Sequence, residues 1–325
     1  MDAKEAGRTR LVSNLLWLCP TRALPLPSDF DVDSQALVLE QLQAVWQAHP
    51  PTSGYLTSVL KALGKHSADS GYELSEEWYD LLALASHDAE HTFRTLQLDA
   101  GLNVHLRECT ALTSHGTTGL RTWGAAVQLT KHLQQHSAIV AGKTVLELGC
   151  GTALVTAALL LLPSPPVRVV ATDYHPDVLA MARGNLERAS SSEDPNSSSE
   201  DSNRCSEHPV PWTLEPLDWR VPLGPSLHQT FDVVLAADVV FDPELLPDLL
   251  TVLHDALRPS RSSCAIVATT RRNPDTFARW QALLAQHPTL EASMQAVPLD
   301  ADYVDVHPFD VVLHTLRFRT DNDKL

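Results

Sequence analysis

The chain has 325 residues, enough for one large domain or two ordinary ones, and 44% of them are hydrophobic, enough for a full buried core. Its 40 acidic residues outnumber the 24 basic ones, and the formal charge of −16 argues against generic binding to phosphate backbones, so no nucleic-acid partner is expected. The five cysteines (Cys19, Cys109, Cys150, Cys205 and Cys264) are scattered and form no C-x-x-C pair, which argues against a disulfide framework or a zinc knuckle and for a reducing, cytoplasmic setting.

At the N-terminus Lys4, Arg8 and Arg10 precede an apolar stretch, residues 11–19. Asp2, Glu5, Ser13 and Asn14 interrupt it and no small-residue cleavage site follows, so an amphipathic helix is predicted rather than a signal peptide. The most apolar run, residues 153–162, falls well short of the roughly 20 residues a membrane span needs, so no membrane partner is expected. Up to residue 100 the apolar period is helical, and an N-terminal helical accessory region is predicted over 1–100. Asp33 or Ser34 is read as the cap of a helix carrying Leu37, Leu42, Val45 and Trp46, which Pro50 and Pro51 end. Tyr55, Leu56, Val59, Leu60 and Leu63 share a face of the next helix, with Gly64 as its stop. Ser75 is expected to open a third, with Glu76 and Glu77 in its first turn, where the helix dipole favours acids.

Near residue 102 the period changes to two: Leu102, Val104 and Leu106 alternate with polar residues and predict a strand. A Gly- and Thr-rich turn, 115–119, precedes a short helix carrying Ala126, Leu129 and Leu133. From Lys143 onward strands (144–148, 167–172, 210–217, 231–237, 264–269) alternate with helices. The helices are 153–162, Pro176 to about Arg188, one opened by Asp242 and Pro243 as cap and first turn, and one begun by Pro274. Such repeats predict an α/β domain over 101–325, a parallel sheet with helices on both faces. Two final strands, 292–298 and 309–318, with no long helix between them predict an antiparallel end. Residues 190–209 are serine-rich, acidic and nearly free of apolar side chains, and are read as a disordered insertion, either a passive loop or a phosphorylation site.

The chemistry concentrates at the ends of these strands. Val145 to Gly151 reads V-L-E-L-G-C-G: an apolar strand, the acid Glu147, then Gly149 and Gly151 around Cys150, then a helix. Glycines there let the backbone approach a ligand with no Cβ in the way. A dinucleotide site wants Gly or Ala at a third position, which here is Leu154, and uses the helix N-terminus against a pyrophosphate. S-adenosylmethionine has no phosphate and carries a positive sulfonium and ammonium, which an acid such as Glu147 suits. An ordinary glycine turn is the plainer alternative. Asp173 ends the next strand, about 20 residues on, where an acid can hydrogen-bond ribose hydroxyls; it can also cap the helix at Pro176. After the third strand Asp218 can accept from an adenine amino group and Trp219 can flank the ring, although a buried tryptophan is the usual reading of such a pair. Asp238 and Phe241 follow the fourth strand, where a methyl acceptor would meet the sulfonium. Asp238 can orient an amine or take its proton, and Phe241 can pack on a lysine stem or face a cation; a structural cap and a core aromatic are the alternatives.

These stretches, with S-H-G-T-T-G-L at 114–120, Thr122-Trp123, and R-N-P-D-T at 272–276, resemble the seven-β-strand methyltransferases. Within them the chain is similar to the methyltransferase-like group that modifies protein lysines, nearest the elongation factor 2 lysine methyltransferases. The similarity runs from about Tyr55 to Phe318. It implies a Rossmann-like seven-stranded sheet, mostly parallel with an antiparallel last strand, and S-adenosylmethionine as cofactor. Trp123 would then contact the cofactor, Gly149, Cys150 and Gly151 would hold its methionine part, and Asp173 its ribose. Trp219 and Ala237 would line the adenine and sulfonium region, and Asp238 and Phe241 would match the group's acid-x-x-aromatic motif beside the target lysine. Gly124 departs from the acid or proline that relatives often carry after the tryptophan. The expected activity is methylation of a lysine on elongation factor 2 without a metal. The alternatives are another protein or small-molecule acceptor, or a cofactor-binding protein without turnover. One rival motif, His87-Asp88-Ala89-Glu90-His91, matches an inverted zinc-protease pattern, and His132 and His136 share a four-residue spacing; both stretches read as helix surfaces.

Overall fold

The computed structural model describes residues 2–28, 30–98, 102–191, 209–297 and 310–319. They form two compact units, one from residues up to Leu112 and one from Thr113 onward. The expected insertion at 190–209 lies, apart from its ends, outside the described residues.

The first unit packs four helices, α1 (Ala3–Leu16), α2 (Val32–Trp46), α3 (Ser53–Asp69) and α4 (Glu77–Leu84), with a hairpin of β1 (His91–Gln97) and β2 (Asn103–Cys109). Its core centres on Trp46, Trp78 and Phe30, the last two meeting edge-on at 5.9 Å. Asp2 caps α1 by accepting from the Glu5 N–H. The cap of α2 is Asp31, not Asp33 or Ser34; its carboxylate accepts the Ser34 N–H at 2.9 Å. Gly64 does not stop α3, which runs on to Asp69; past the glycine the helix is held by His66, whose Nε2 bonds the Pro27 carbonyl at 2.7 Å, against the roughly 1 kcal/mol a helical glycine costs. Ser75 opens only a turn, its carbonyl accepting from Trp78 N, and α4 proper starts at Glu77. Residues 87–91 are likewise no helix surface: Asp88 accepts from the Glu90 and His91 N–H groups at 3.0 Å, an Asx turn that feeds β1. Within the hairpin Arg94 and Glu108 form a buried ion pair at 2.6 Å.

The second unit runs α5 (Gly124–Gln135), β3 (Thr144–Leu148), α6 (Leu154–Leu160), β4 (Arg168–Asp173), α7 (Pro176–Ser190), β5 (Trp212–Pro216), β6 (Val233–Ala237), α8 (Leu246–Ala256), β7 (Cys264–Thr270), α9 (Pro274–Gln286), β8 (Leu290–Val297) and β9 (Val311–Phe318). The sheet order is β5-β4-β3-β6-β7-β9-β8. Neighbours are parallel from β5 through β7, and β9 is antiparallel to both strands beside it. This is the expected seven-stranded sheet with its antiparallel last strand. Alternate side chains feed two cores: Val145, Val169 and Val233 meet α5 and α6, while Leu146, Val170 and Val234 meet α8 and α9. Helix α8 starts later than Asp242 and Pro243 suggest, since Asp242 instead closes a turn by accepting the Glu244 N–H at 2.9 Å. At the amino ends of the strands, Asp232 accepts from both the backbone N–H and the hydroxyl of Thr144 (3.0 and 2.8 Å), fastening β3 to β6. The chain goes from β3 outward to β5, then returns to the other side of β3 for β6. That reversal opens a crevice at the carboxyl ends of β3 and β6.

Candidate active site

The crevice is floored by the loop after β3. Gly149 and Gly151 lie in the left-handed region, φ +62° and +54°. A Cβ on Gly149 would come within 3.0 Å of Val239 Cγ1 and 3.4 Å of Trp219 Cζ2, and one on Gly151 within 3.3 Å of the Gly119 carbonyl. Three sequence-distant segments therefore close on this loop at glycine-only spacing. Two side chains brace it from beneath: the Thr122 and Thr152 hydroxyls meet at 2.7 Å, and Asn185 donates to the Thr152 carbonyl at 3.0 Å. Cys150 is buried, its N–H bonded to the Thr172 carbonyl, and burial pushes its thiol well above the ordinary range.

The acids differ in their surroundings. Glu147 is 2% exposed; its Oε2 accepts from the Thr156 N–H at 3.0 Å and from the Thr156 hydroxyl. Burial pushes its carboxyl up to about 7, against the pull of those bonds. Asp173 accepts from the Gly151 N–H at 3.2 Å and the His175 N–H at 3.1 Å, so it joins the end of β4 to the glycine loop; burial raises its carboxyl despite these donors. Asp173 is not the helix cap the sequence also offered: its bond goes to His175, which still precedes α7, and it is His175 Nδ1 that accepts the Asp177 N–H of the first turn, at 3.2 Å. Asp218 is held in a fork by Arg220, at 2.9 Å from Nε and 2.7 Å from Nη2, and this pairing lowers its carboxyl. Arg220 also lies over the ring of Tyr174, 5.6 Å from its centre.

Beyond β6, Ala237 ends the strand half-buried and Asp238 takes φ +56°, a left-handed conformation that costs a non-glycine residue about 1–2 kcal/mol. Three bonds hold it there: its N–H to the Ala268 carbonyl (2.9 Å), Oδ1 to the Thr270 N–H (3.0 Å) and Oδ2 to Arg272 Nη2 (3.1 Å). The Arg272 guanidinium lies 4.7 Å above the Trp123 ring, whose indole N–H donates to the Thr118 carbonyl. Phe241 is 61% exposed.

The structure thus gathers Gly149 with Trp219 and Gly151 with Asp173, and links Trp123 to Asp238 through Arg272. It turns the Glu147 carboxylate to α6 and ties Asp218 to Arg220. Sequence reasoning assigned no site role to Arg272, Tyr174, Val239 or Thr152. Arg272 stands in the R-N-P-D-T stretch, but nothing in that stretch says which acid it pairs with. The donor set suits a nucleoside carrying positive charge: a glycine cradle of backbone width, Asp173 bonded to it, Glu147 buried in the strand that leads to it, and the arginines Arg220 and Arg272 each neutralised by an acid. Among the described residues no three His, Cys, Asp or Glu side chains gather as a metal site, and no helix is long and apolar enough to cross a membrane.

Comparison with known proteins places this geometry. A family model described as lysine methyltransferase matches residues 110–279, from the end of the hairpin to α9. The protein-lysine N-methyltransferase EEF2KMT of Bos taurus is 35% identical over 248 residues, 73% of each chain, and that of Homo sapiens is 36% identical over 237 residues, 70% of this chain and 69% of its own. Among solved structures, the methyltransferase SMU.776 complexed with SAH aligns over 79% of this chain and 66% of its own at 14% identity and a TM-score of 0.47, too distant to add to the sheet order. With its glycine cradle, its seven-stranded order and these relatives, the chain belongs to the lysine methyltransferase family and is an S-adenosylmethionine-dependent methyltransferase.

Proposed function

We propose that this enzyme methylates a lysine of elongation factor 2 in the cytoplasm. The single observation that carries the acceptor side is the end of β6, where Asp238 is fixed in a strained conformation and linked through the Arg272 guanidinium to the Trp123 ring, with the exposed Phe241 three residues on. An acid with aromatic neighbours is a site for a cationic alkyl side chain. Relatives named EEF2KMT support the choice of acceptor protein, and the four described cysteines, all buried and none in a disulfide, agree with a reducing compartment.

In this reading Gly149, Cys150 and Gly151 receive the methionine part of the cofactor, Asp173 the ribose, and Asp218 and Trp219 the adenine. Trp123 and Ala237 line the sulfonium region. Glu147 acts from beneath the loop, as a charge. When bound, S-adenosylmethionine supplies a methyl group already activated by its positive sulfur. The chain's own part is alignment: Asp238 holds the amine, Phe241 packs on the lysine stem, and the crevice walls keep water from the reacting pair. The N-terminal unit, with its own core, serves as an accessory to the methyltransferase domain and docks the folded substrate.

The test is transfer of labelled methyl to purified elongation factor 2, run with Asp238→Ala beside the parent. Label on a lysine, reduced about a hundredfold or more in the variant, supports both substrate and residue. Full cofactor binding with no label on this substrate would refute the choice of elongation factor 2 and direct the search to other acceptors.

A further inference from the structure

Asp238 has two carboxylate oxygens, and both are engaged. Oδ1 accepts from the backbone N–H of Thr270, a contact that does not move while the sheet is intact, and Oδ2 accepts from Arg272. The Asp238 side chain is 7% exposed and that of Arg272 36%, so the arginine lies between the acid and solvent. Its guanidinium is also stacked on Trp123 at 4.7 Å. An acid and an aromatic face together make a site for one cation, and the chain fills it with its own.

Two further observations say which partner is the movable one. Asp238 needs no arginine to hold its orientation, because the Ala268 and Thr270 backbone bonds already clamp it. The backbone of Arg272 is equally fixed: its N–H bonds the Thr270 carbonyl, the Arg271 N–H bonds the Asp310 carbonyl, and Asn273 caps α9 directly after it. Only the arginine's long side chain is free to swing.

We infer that Arg272 is a stand-in for the substrate's lysine: its guanidinium occupies the acceptor's cation site and the incoming ammonium displaces it from Asp238 and Trp123. This rests on reading Asp238 as part of the acceptor site. Arg272 thereby sets a threshold for acceptors. A lysine presented with enough other contacts displaces the guanidinium, and a free amine or a loose peptide does so poorly. Removing a half-exposed ion pair and a cation–π contact from the competition corresponds to about a fivefold gain in affinity for an ammonium.

The direct experiment titrates n-butylammonium, the tip of a lysine side chain, into the full chain loaded with S-adenosylhomocysteine, following the Trp123 indole N–H resonance. Arg272→Ala should bind it about fivefold more tightly than the parent, and Arg272→Lys, which keeps a competing cation, should resemble the parent. Equal or weaker binding by Arg272→Ala would make the arginine a fixed prop and overturn the inference. If Arg272→Ala binds more tightly and Asp238→Asn in that background leaves the gain intact, the ammonium sits elsewhere, and the reading of Asp238 is what fails. Turnover adds a second readout: displacement predicts a lower KM for the acceptor protein in Arg272→Ala, whereas a prop would leave KM unchanged or raise it.

Discussion

Glu147→Gln tests the electrostatics beneath the glycine loop. Folding buries this carboxyl and raises it from 4.5 to about 7, so the folded state prefers the protonated acid. The stability tied to that preference is intact below 4.5 and is lost as pH climbs through 7. Each tenfold difference in proton affinity between the folded and unfolded chain is worth about 1.4 kcal/mol, so the loss approaches about 3 kcal/mol by roughly pH 8, with about 2 kcal/mol of it already incurred at about pH 6. Gln keeps an oxygen for the Thr156 N–H and hydroxyl but never ionises. Urea unfolding of the cofactor-free protein should therefore show the parent losing about 3 kcal/mol relative to the Gln variant between about pH 4.5 and 8. Binding of S-adenosylmethionine brings positive charge to the loop and favours the ionised acid. The parent's preference for S-adenosylmethionine over S-adenosylhomocysteine should then rise through pH 7, and the Gln variant's should stay flat. Parallel stability curves for parent and variant across this range would refute the reasoning, whatever happens to activity.

His314 should show the opposite trend: buried between Phe277 and Trp280, it is pulled down to about 4, so its contribution is intact above 6.5 and lost as pH falls toward 4, about 2 kcal/mol by pH 5. His314→Phe should flatten that acid limb in thermal unfolding. Gly149→Ala places a methyl 3.0 Å from Val239 in a left-handed conformation, and calorimetry should find cofactor affinity reduced at least about tenfold while the sheet stays folded. A chain beginning at Thr113 should keep cofactor binding and lose methylation of the protein acceptor; equal losses in both would show that the first unit is needed for the fold of the second.

Most of the second unit was legible because its central strands are apolar on both faces, as in residues 144–148, 231–237 and 264–269, and because glycine and acid punctuation marks their carboxyl ends. Strand β1 was not: Arg94 stands in its middle, and only the buried Glu108 across the hairpin makes that position a core one. Caps shifted by a few residues at Asp31 and Asp242 because several acids in each stretch were equally able to accept a backbone N–H. At the site, sequence identified the acids but not their partners. The bond from Arg272 to Asp238 joins residues 34 apart in the chain, and the β6–β7 pairing brings them together. Glu147 was expected to serve the cofactor directly; its contact with Thr156, in the first turn of α6, depends on how that helix folds back over β3.

The adjacency of β3 and β6 also bears on how the enzyme is made. Thr144 and Asp232, which fasten these strands, are 88 residues apart, and β4 and β5, on the far side of β3, are made between them. At roughly 5–20 residues per second, a ribosome leaves the inner edge of β3 without its partner for some 4 to 18 seconds. During that interval the glycine loop exists without Val239 or Asp238, and the apolar edge of β3 stands as an unpaired template for other strands.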